Sequence, residues 1–131
     1  MNTEKLRVLA LDLNSAAQRS PYAALGEEFP VVAARLVDKC RAELIGRSGS
    51  YHYNCPMDRR FFKASGLEAA LLREFIATGA DDVEVAAWMN AHAREPLEKI
   101  AGWSQRFRAN PLWRLLDFED WLHRRRQARR G

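Results

Sequence analysis

The feature that most constrains this chain is the segment 31–45, where Val32, Leu36, Cys40 and Leu44 recur at every fourth residue. That spacing stacks the four side chains along one side of an α-helix, and Ala33 and Val37 widen the stripe. Gly46 follows, a residue that takes the left-handed conformation at a helix C-terminus without steric cost. The pattern predicts an amphipathic helix over 31–45 whose apolar stripe other elements must cover. At the edge of the stripe Arg35, Lys39 and Glu43 form a charged ridge, one turn apart. Asp38 lies three residues from both Arg35 and Arg41, and with Glu43 it is placed to neutralise these cations within the helix.

The rest of the chain supplies covering helices, each with its own punctuation. Gly46-Arg47-Ser48-Gly49-Ser50 reads as a turn-rich linker. Asn54 reads as an N-cap, with Cys55 and Pro56 in the first turn of a helix reaching about Ser65 and Phe61 and Phe62 on its buried face. A helical pattern over 67–78 carries Leu71, Leu72, Phe75 and Ile76 and stops at Gly79. Asp81 or Asp82 caps a helix carrying Val83, Ala86, Ala87 and Trp88 as far as about Ala93. Pro96 opens another, with Leu97, Ile100, Trp103 and Phe107 at helical spacing. Asn110-Pro111 repeats the cap-plus-proline signal ahead of Leu112, Leu115 and Leu116. Asp117 then either continues that helix or caps a last one with Trp121 and Leu122 facing in. Upstream, Ser20-Pro21-Tyr22 predicts an N-cap, a proline at the first helical position and a brief turn closing at Gly26. Residues 3–19 fit either a short helix or an extended N-terminal arm. No segment alternates with the strand period. The expectation is an all-α fold, a compact single-domain orthogonal helical bundle of six or seven helices over 1–131, with a basic tail at 123–131.

Composition narrows the functional classes. An apolar content of 47% with 29% charged residues belongs to a globular chain, which excludes bulk disorder. No apolar run approaches the ~20 residues that span a bilayer. The start of the chain lacks the layout of a secretory signal. Cys40 and Cys55 are too few for a disulfide framework, so a reduced, cytoplasmic setting is expected. The net charge is +4. Arg124, Arg125, Arg126, Arg129 and Arg130 together supply five positive charges, and taking five from +4 leaves −1 for the remainder. The body is near neutral, no aromatic is interleaved in the tail, and the pattern argues against specific nucleic-acid recognition. Either a monomer or a homodimer is compatible with this length.

The densest chemistry lies in Ser50-Tyr51-His52-Tyr53-Asn54-Cys55-Pro56-Met57-Asp58. His52, Cys55 and Asp58 are spaced three apart and each type binds transition metals. Pro56 nevertheless places 51–54 in a loop, and neither Cys40 nor His92 completes a paired ligand spacing, so no metal site is assigned. Cys55 at a helix N-terminus with His52 nearby is the candidate nucleophile, set against a small buried thiol. Cys40 sits on the apolar stripe and reads as core. The tyrosines and His52 either give hydroxyls and a proton-transfer group to a ligand or bury their rings with one hydrogen bond each. The four tryptophans, Trp88, Trp103, Trp113 and Trp121, read as core or half-buried anchors. Together, Arg35, Asp38 and Lys39 of the helix and Tyr51, His52, Tyr53, Asn54 and Asp58 of the loop form the candidate site for a small polar or anionic ligand. An enzyme using Cys55 or His52 and a protein-interaction module are the alternatives, and no cofactor is indicated.

Arg35-Leu36-Val37-Asp38-Lys39-Cys40-Arg41-Ala42-Glu43, Gly46, Gly49, the run from Tyr51 through Asp58, and Phe61 together resemble the signature of a bacterial family of domains of unknown function. Asp12-Leu13, Arg19-Ser20-Pro21 and Leu25-Gly26 are similar to its N-terminal pattern, and Leu115-Leu116-Asp117-Phe118-Glu119-Asp120 to its acidic closing motif. The chain departs from that pattern at Glu27, where a second glycine is expected, and in the arginine-rich extension. The resemblance implies a whole-chain cytosolic domain with its signature on the helix from Val31 and the loop after it. It implies no reaction, cofactor or catalytic residue.

Overall fold

The computed structural model describes residues 1–115, and among them the regular structure is entirely helical. The elements are α1 (Thr3–Leu9), α2 (Ala33–Leu44), α3 (Pro56–Ser65), α4 (Ala69–Ile76), α5 (Asp82–His92) and α6 (Leu97–Ala109). Residues 111–115 are also helical, and Asn110 Oδ1 accepts the Leu112 amide at 3.0 Å. The expectations for Leu116, for a restart at Asp117, for Trp121 and Leu122 and for the 123–131 tail lie outside the described residues. Among those described, no helix is long and apolar enough to cross a membrane.

Helix α2 is the centre of the fold, and α1, α3 and α4 pack directly on it. It starts at Ala33 rather than Val31 because Val32 adopts φ 67°, ψ −40°. The Val32 amide donates to Pro21 O at 2.7 Å and the Ala33 amide to Val31 O at 2.7 Å, which makes a tight turn around Val32. A β-branched residue held there costs roughly 1–3 kcal/mol, which the surrounding packing must hold in place. Val32 is fully buried.

The burial of α2 corrects the sequence reading. Every residue from Ala33 to Ala42 is buried, including Arg35, Asp38, Lys39 and Arg41. These side chains are not a solvated ridge neutralised within the helix. Asp38, Lys39 and Arg41 form ion pairs with other elements, because a charge enclosed on all sides needs a partner from whatever packs against it.

Two further local readings change. The N-cap of α3 is Cys55, with Pro56 inside the helix, while Asn54 stands just before it at φ 64°. Asparagine tolerates that left-handed conformation better than most residues, so it turns the chain instead of capping it. Ser20-Pro21-Tyr22 forms a non-helical turn in which Ser20 Oγ accepts the Tyr22 amide at 3.1 Å.

The outer helices follow their punctuation. Asp81 caps α5 and shares a capping box with Glu84. The buried face of α5 is Val85 and Met89, whereas Val83 is 79% exposed. Helix α5 is apolar on several sides, so its period alone does not select the inward face. After α4 the chain turns at Gly79, φ +88°, where an added Cβ would lie 2.5 Å from Lys5 Cβ of α1. The Asn2 amide also donates to Ala77 O at 2.8 Å, so α1 docks on the end of α4. Helices α3 and α6 pack together around Phe61, Trp103 and Phe107.

Candidate functional site

Residues four apart on a helix share a side and successive ones diverge by about 100°, so the polar residues of α2 sort into two sets. Arg35, Lys39 and Glu43 face the segment 53–58. Arg35 Nη1 lies 3.9 Å from Met57 Sδ, Lys39 Nζ is 2.8 Å from Asp58 Oδ2 and 3.1 Å from Cys55 Sγ, and Glu43 Oε2 accepts the Tyr53 amide at 3.1 Å. Asp38 and Arg41, three apart, face the other way, toward Arg19 and Asp82.

At the first junction Asp58 organises the start of α3. Its Oδ2 accepts from Lys39 Nζ, from the Asn54 amide at 3.0 Å and from the Cys55 amide at 3.3 Å. A carboxylate at a helix N-terminus answers both the free amides and the helix dipole. Lys39 and Asp58 are 1% and 0% exposed, so this is a fully buried ion pair. Asp58 Oδ1 is buried with no hydrogen-bond partner among the described residues. Cys55 is half-buried, and the Lys39 ammonium lies directly beside its sulfur.

The second junction is a four-residue ionic network. Arg19 places Nε 3.0 Å from Asp38 Oδ2, Nη2 3.0 Å from Asp38 Oδ1 and Nη1 2.8 Å from Asp82 Oδ2. Arg41 Nη1 reaches Asp82 Oδ1 at 2.8 Å, and its Nη2 donates to Ala80 O at 3.0 Å. Burial alone would lower the Arg19 pKa, but its hydrogen bonds to Asp38 and Asp82 outweigh burial and raise it. Burial alone would raise that of Asp82, but its bonds from Arg19 and Arg41 outweigh burial and lower it. A cleft of about 540 Å³ opens beside this network between Leu9, Leu11 and Asp81, with Arg19, Asp38, Arg41 and Asp82 already paired to one another.

The structure thus brings Lys39, Asn54, Cys55 and Asp58 together and sends Asp38 to the opposite side of α2. Tyr53 is turned inward: its hydroxyl donates to Ala69 O at 2.8 Å, and burial pushes its pKa up. Tyr51 is half-buried and its amide donates to Ser48 O at 3.1 Å, while His52 is exposed. Cys40 is core, and burial pushes its thiol up to about 12. His92 stacks on Trp88 with ring centroids 4.1 Å apart. Among the described residues no three His, Cys, Asp or Glu side chains gather as a metal site.

Arg19, Arg73 and Asp82 were absent from the candidate set. Arg73 pairs with Glu43, and Arg19 and Asp82 are bonded across a sequence separation of 63. No local pattern marks such a partner, since nothing near Asp82 in sequence distinguishes it from a capping residue of α5.

Fold and site define an all-helical domain built on a buried, charged central helix that is pinned to its neighbours by ion pairs. The chain belongs to the family described as a domain of unknown function (DUF5069), whose model matches residues 15–128. No curated protein matches it.

Proposed function

We propose that this domain binds a small polar or anionic ligand at the loop 51–58, and that it works in a reducing, cytoplasmic setting where its two thiols stay free. His52, Asn54 and Cys55 are the groups that meet the ligand, and Lys39 supplies the charge behind them. One observation carries the reading: the buried Lys39 ammonium lies 3.1 Å from the sulfur of the half-buried Cys55. An ammonium has three N–H donors, and Asp58 and Cys55 account for two. A carboxylate, phosphoryl or carbonyl oxygen seated beside Cys55 would face that charge. Tyr53 and Asp58 hold the loop from within, and Asp38 and Arg35 act in the fold. Thermal-shift screening against anionic metabolites tests the proposal. A ligand that raises the melting temperature of the wild type, but not of His52→Ala/Cys55→Ser, supports it; equal shifts in both proteins would remove the loop as the site.

A second reading, thiol chemistry at Cys55, is favoured by the same sulfur standing at the N-terminus of α3, the kind of surroundings reactive thiols share. Cys40 is a built-in control. With iodoacetamide at pH 7 the native protein is expected to be alkylated at Cys55 and spared at Cys40, read by peptide mass spectrometry. A Cys55 as inert as Cys40 would end this second reading without touching the first.

A further inference from the structure

On the outer side of the α3–α6 pair lies a cleft of about 500 Å³ lined by Arg60, Lys63 and Ala64 of α3 and by Lys99, Trp103 and Arg106 of α6. It continues into a smaller hollow of about 140 Å³ that shares Arg60, Trp103 and Arg106 and ends at Asn110 and Trp113. The spacing explains the convergence: Arg60 and Lys63 are one turn apart on α3, as are Lys99, Trp103 and Arg106 on α6. The helices pack with these sides together at the surface.

Among the described residues the charge of this groove is almost uncompensated. Lys99 pairs with Glu95 at 3.1 Å. Among the described residues Arg60, Lys63 and Arg106 make no ion pair, in contrast to Arg19, Arg35, Lys39 and Arg41, which the fold takes up. Arg60 instead lies over the Trp113 ring, 5.2 Å from its centroid. Trp103 is half-buried, braced by Phe61 at 6.0 Å and Phe107 at 5.4 Å between ring centroids. A fixed indole ringed by four cations provides a platform for a planar ring and several donors for phosphate oxygens. The size lies within the ~300–1,000 Å³ range of small-ligand sites.

We propose that the α3–α6 groove binds a nucleotide unit, its base stacked on Trp103 and its phosphates held by Arg60, Lys63 and Arg106. This site uses none of the residues assigned to the loop 51–58, so the two readings stand or fall separately. The same chemistry is offered by a free nucleotide and by one residue of a single strand, and the test separates them.

Calorimetric titration of the full chain with ADP, with a single-stranded hexa-adenylate and with inorganic pyrophosphate, each at two salt concentrations, decides the matter. The expected result is nucleotide binding that weakens with salt and falls by about tenfold or more in Lys63→Ala/Arg106→Ala. These two positions are exposed, so the double variant is expected to keep the wild-type melting temperature. Trp103→Leu is expected to weaken ADP more than pyrophosphate; should that variant fail to fold, the exposed double variant carries the test. Comparable affinity for ADP and the hexamer upholds a free nucleotide as ligand, and a hexamer at least tenfold tighter, with a steeper salt dependence, upholds a strand. Absence of nucleotide binding, binding unchanged in the double variant, or pyrophosphate binding as tightly as ADP would each overturn the proposal.

Discussion

Lys39 and Asp58 show what a single buried pair contributes. Two charges removed from water gain little net stability from each other, yet removing one leaves the other stranded. Lys39→Met is therefore expected to cost roughly 3–5 kcal/mol, measured by urea unfolding at pH 7. Asp58→Asn added to Lys39→Met is expected to recover part of that loss, because the amide oxygen still accepts from the Asn54 and Cys55 N–H groups without a net charge. A double variant no more stable than Lys39→Met would mean that the carboxylate is held mainly by those amides rather than by the ammonium. The strain at Val32 belongs to this scale as well, since one left-handed β-branched residue sets where α2 begins.

Among the elements, the joint between α1 and α4 is the most exacting. Gly79 turns the chain at φ +88°, and a Cβ added to it would lie only 2.5 Å from Lys5 Cβ. Gly79→Ala adds a backbone penalty to that clash, and a loss of roughly 1–3 kcal/mol is expected by thermal or urea unfolding. Hydrogen exchange would locate the damage, with faster exchange expected in α1 and the C-terminal turn of α4 before α6. Uniform acceleration throughout would show that α1 is no separate joint. The N-terminus of α5 is less demanding: Asp81→Ala removes a capping acceptor and is expected to cost about 1 kcal/mol.

For the molecule as a whole, the network of Arg19, Asp38, Arg41 and Asp82 ties the segment before α2, α2 itself and α5 into one unit. It makes acid stability predictable in sign. The Asp82 pKa in the folded protein lies below its ordinary 3.8, so on acidification the unfolded chain takes up the proton first. The contribution of Asp82 is thus fully present above about pH 4 to 5 and is lost as the pH falls through 3.8 and below. Asp82→Asn is expected to lose roughly 1–3 kcal/mol at pH 7, because the amide keeps one acceptor oxygen and no charge and cannot answer both Arg19 and the buried Arg41. It should also show a shallower decline between pH 5 and 3 than the wild type. Parallel pH profiles for the two proteins would place the titrating group elsewhere.

The periodic signals in the sequence are local, and they determined the helical class, the stops at Gly46 and Gly79, the cap at Asp81 or Asp82 and the proline at the start of α3. Each depends on backbone chemistry within a turn or two. The ridge of Arg35, Lys39 and Glu43 was legible for the same reason, as was the density of chemistry in the loop 51–58. What each ridge residue faces was not legible. The partners come from other elements, Asp58 for Lys39, Arg73 for Glu43 and Asp82 for Arg41, and only the folded chain brings them within 4 Å. Burial was misjudged for a related reason. A four-residue stripe shows which side of a helix must be covered, but not that neighbours also enclose the others. The cationic groove at Trp103 is likewise a product of two helices, since neither α3 nor α6 carries its charge pattern alone. Helix periodicity and capping are properties of a short stretch of chain, while ion pairing and enclosure depend on which stretches meet, and tertiary packing decides that.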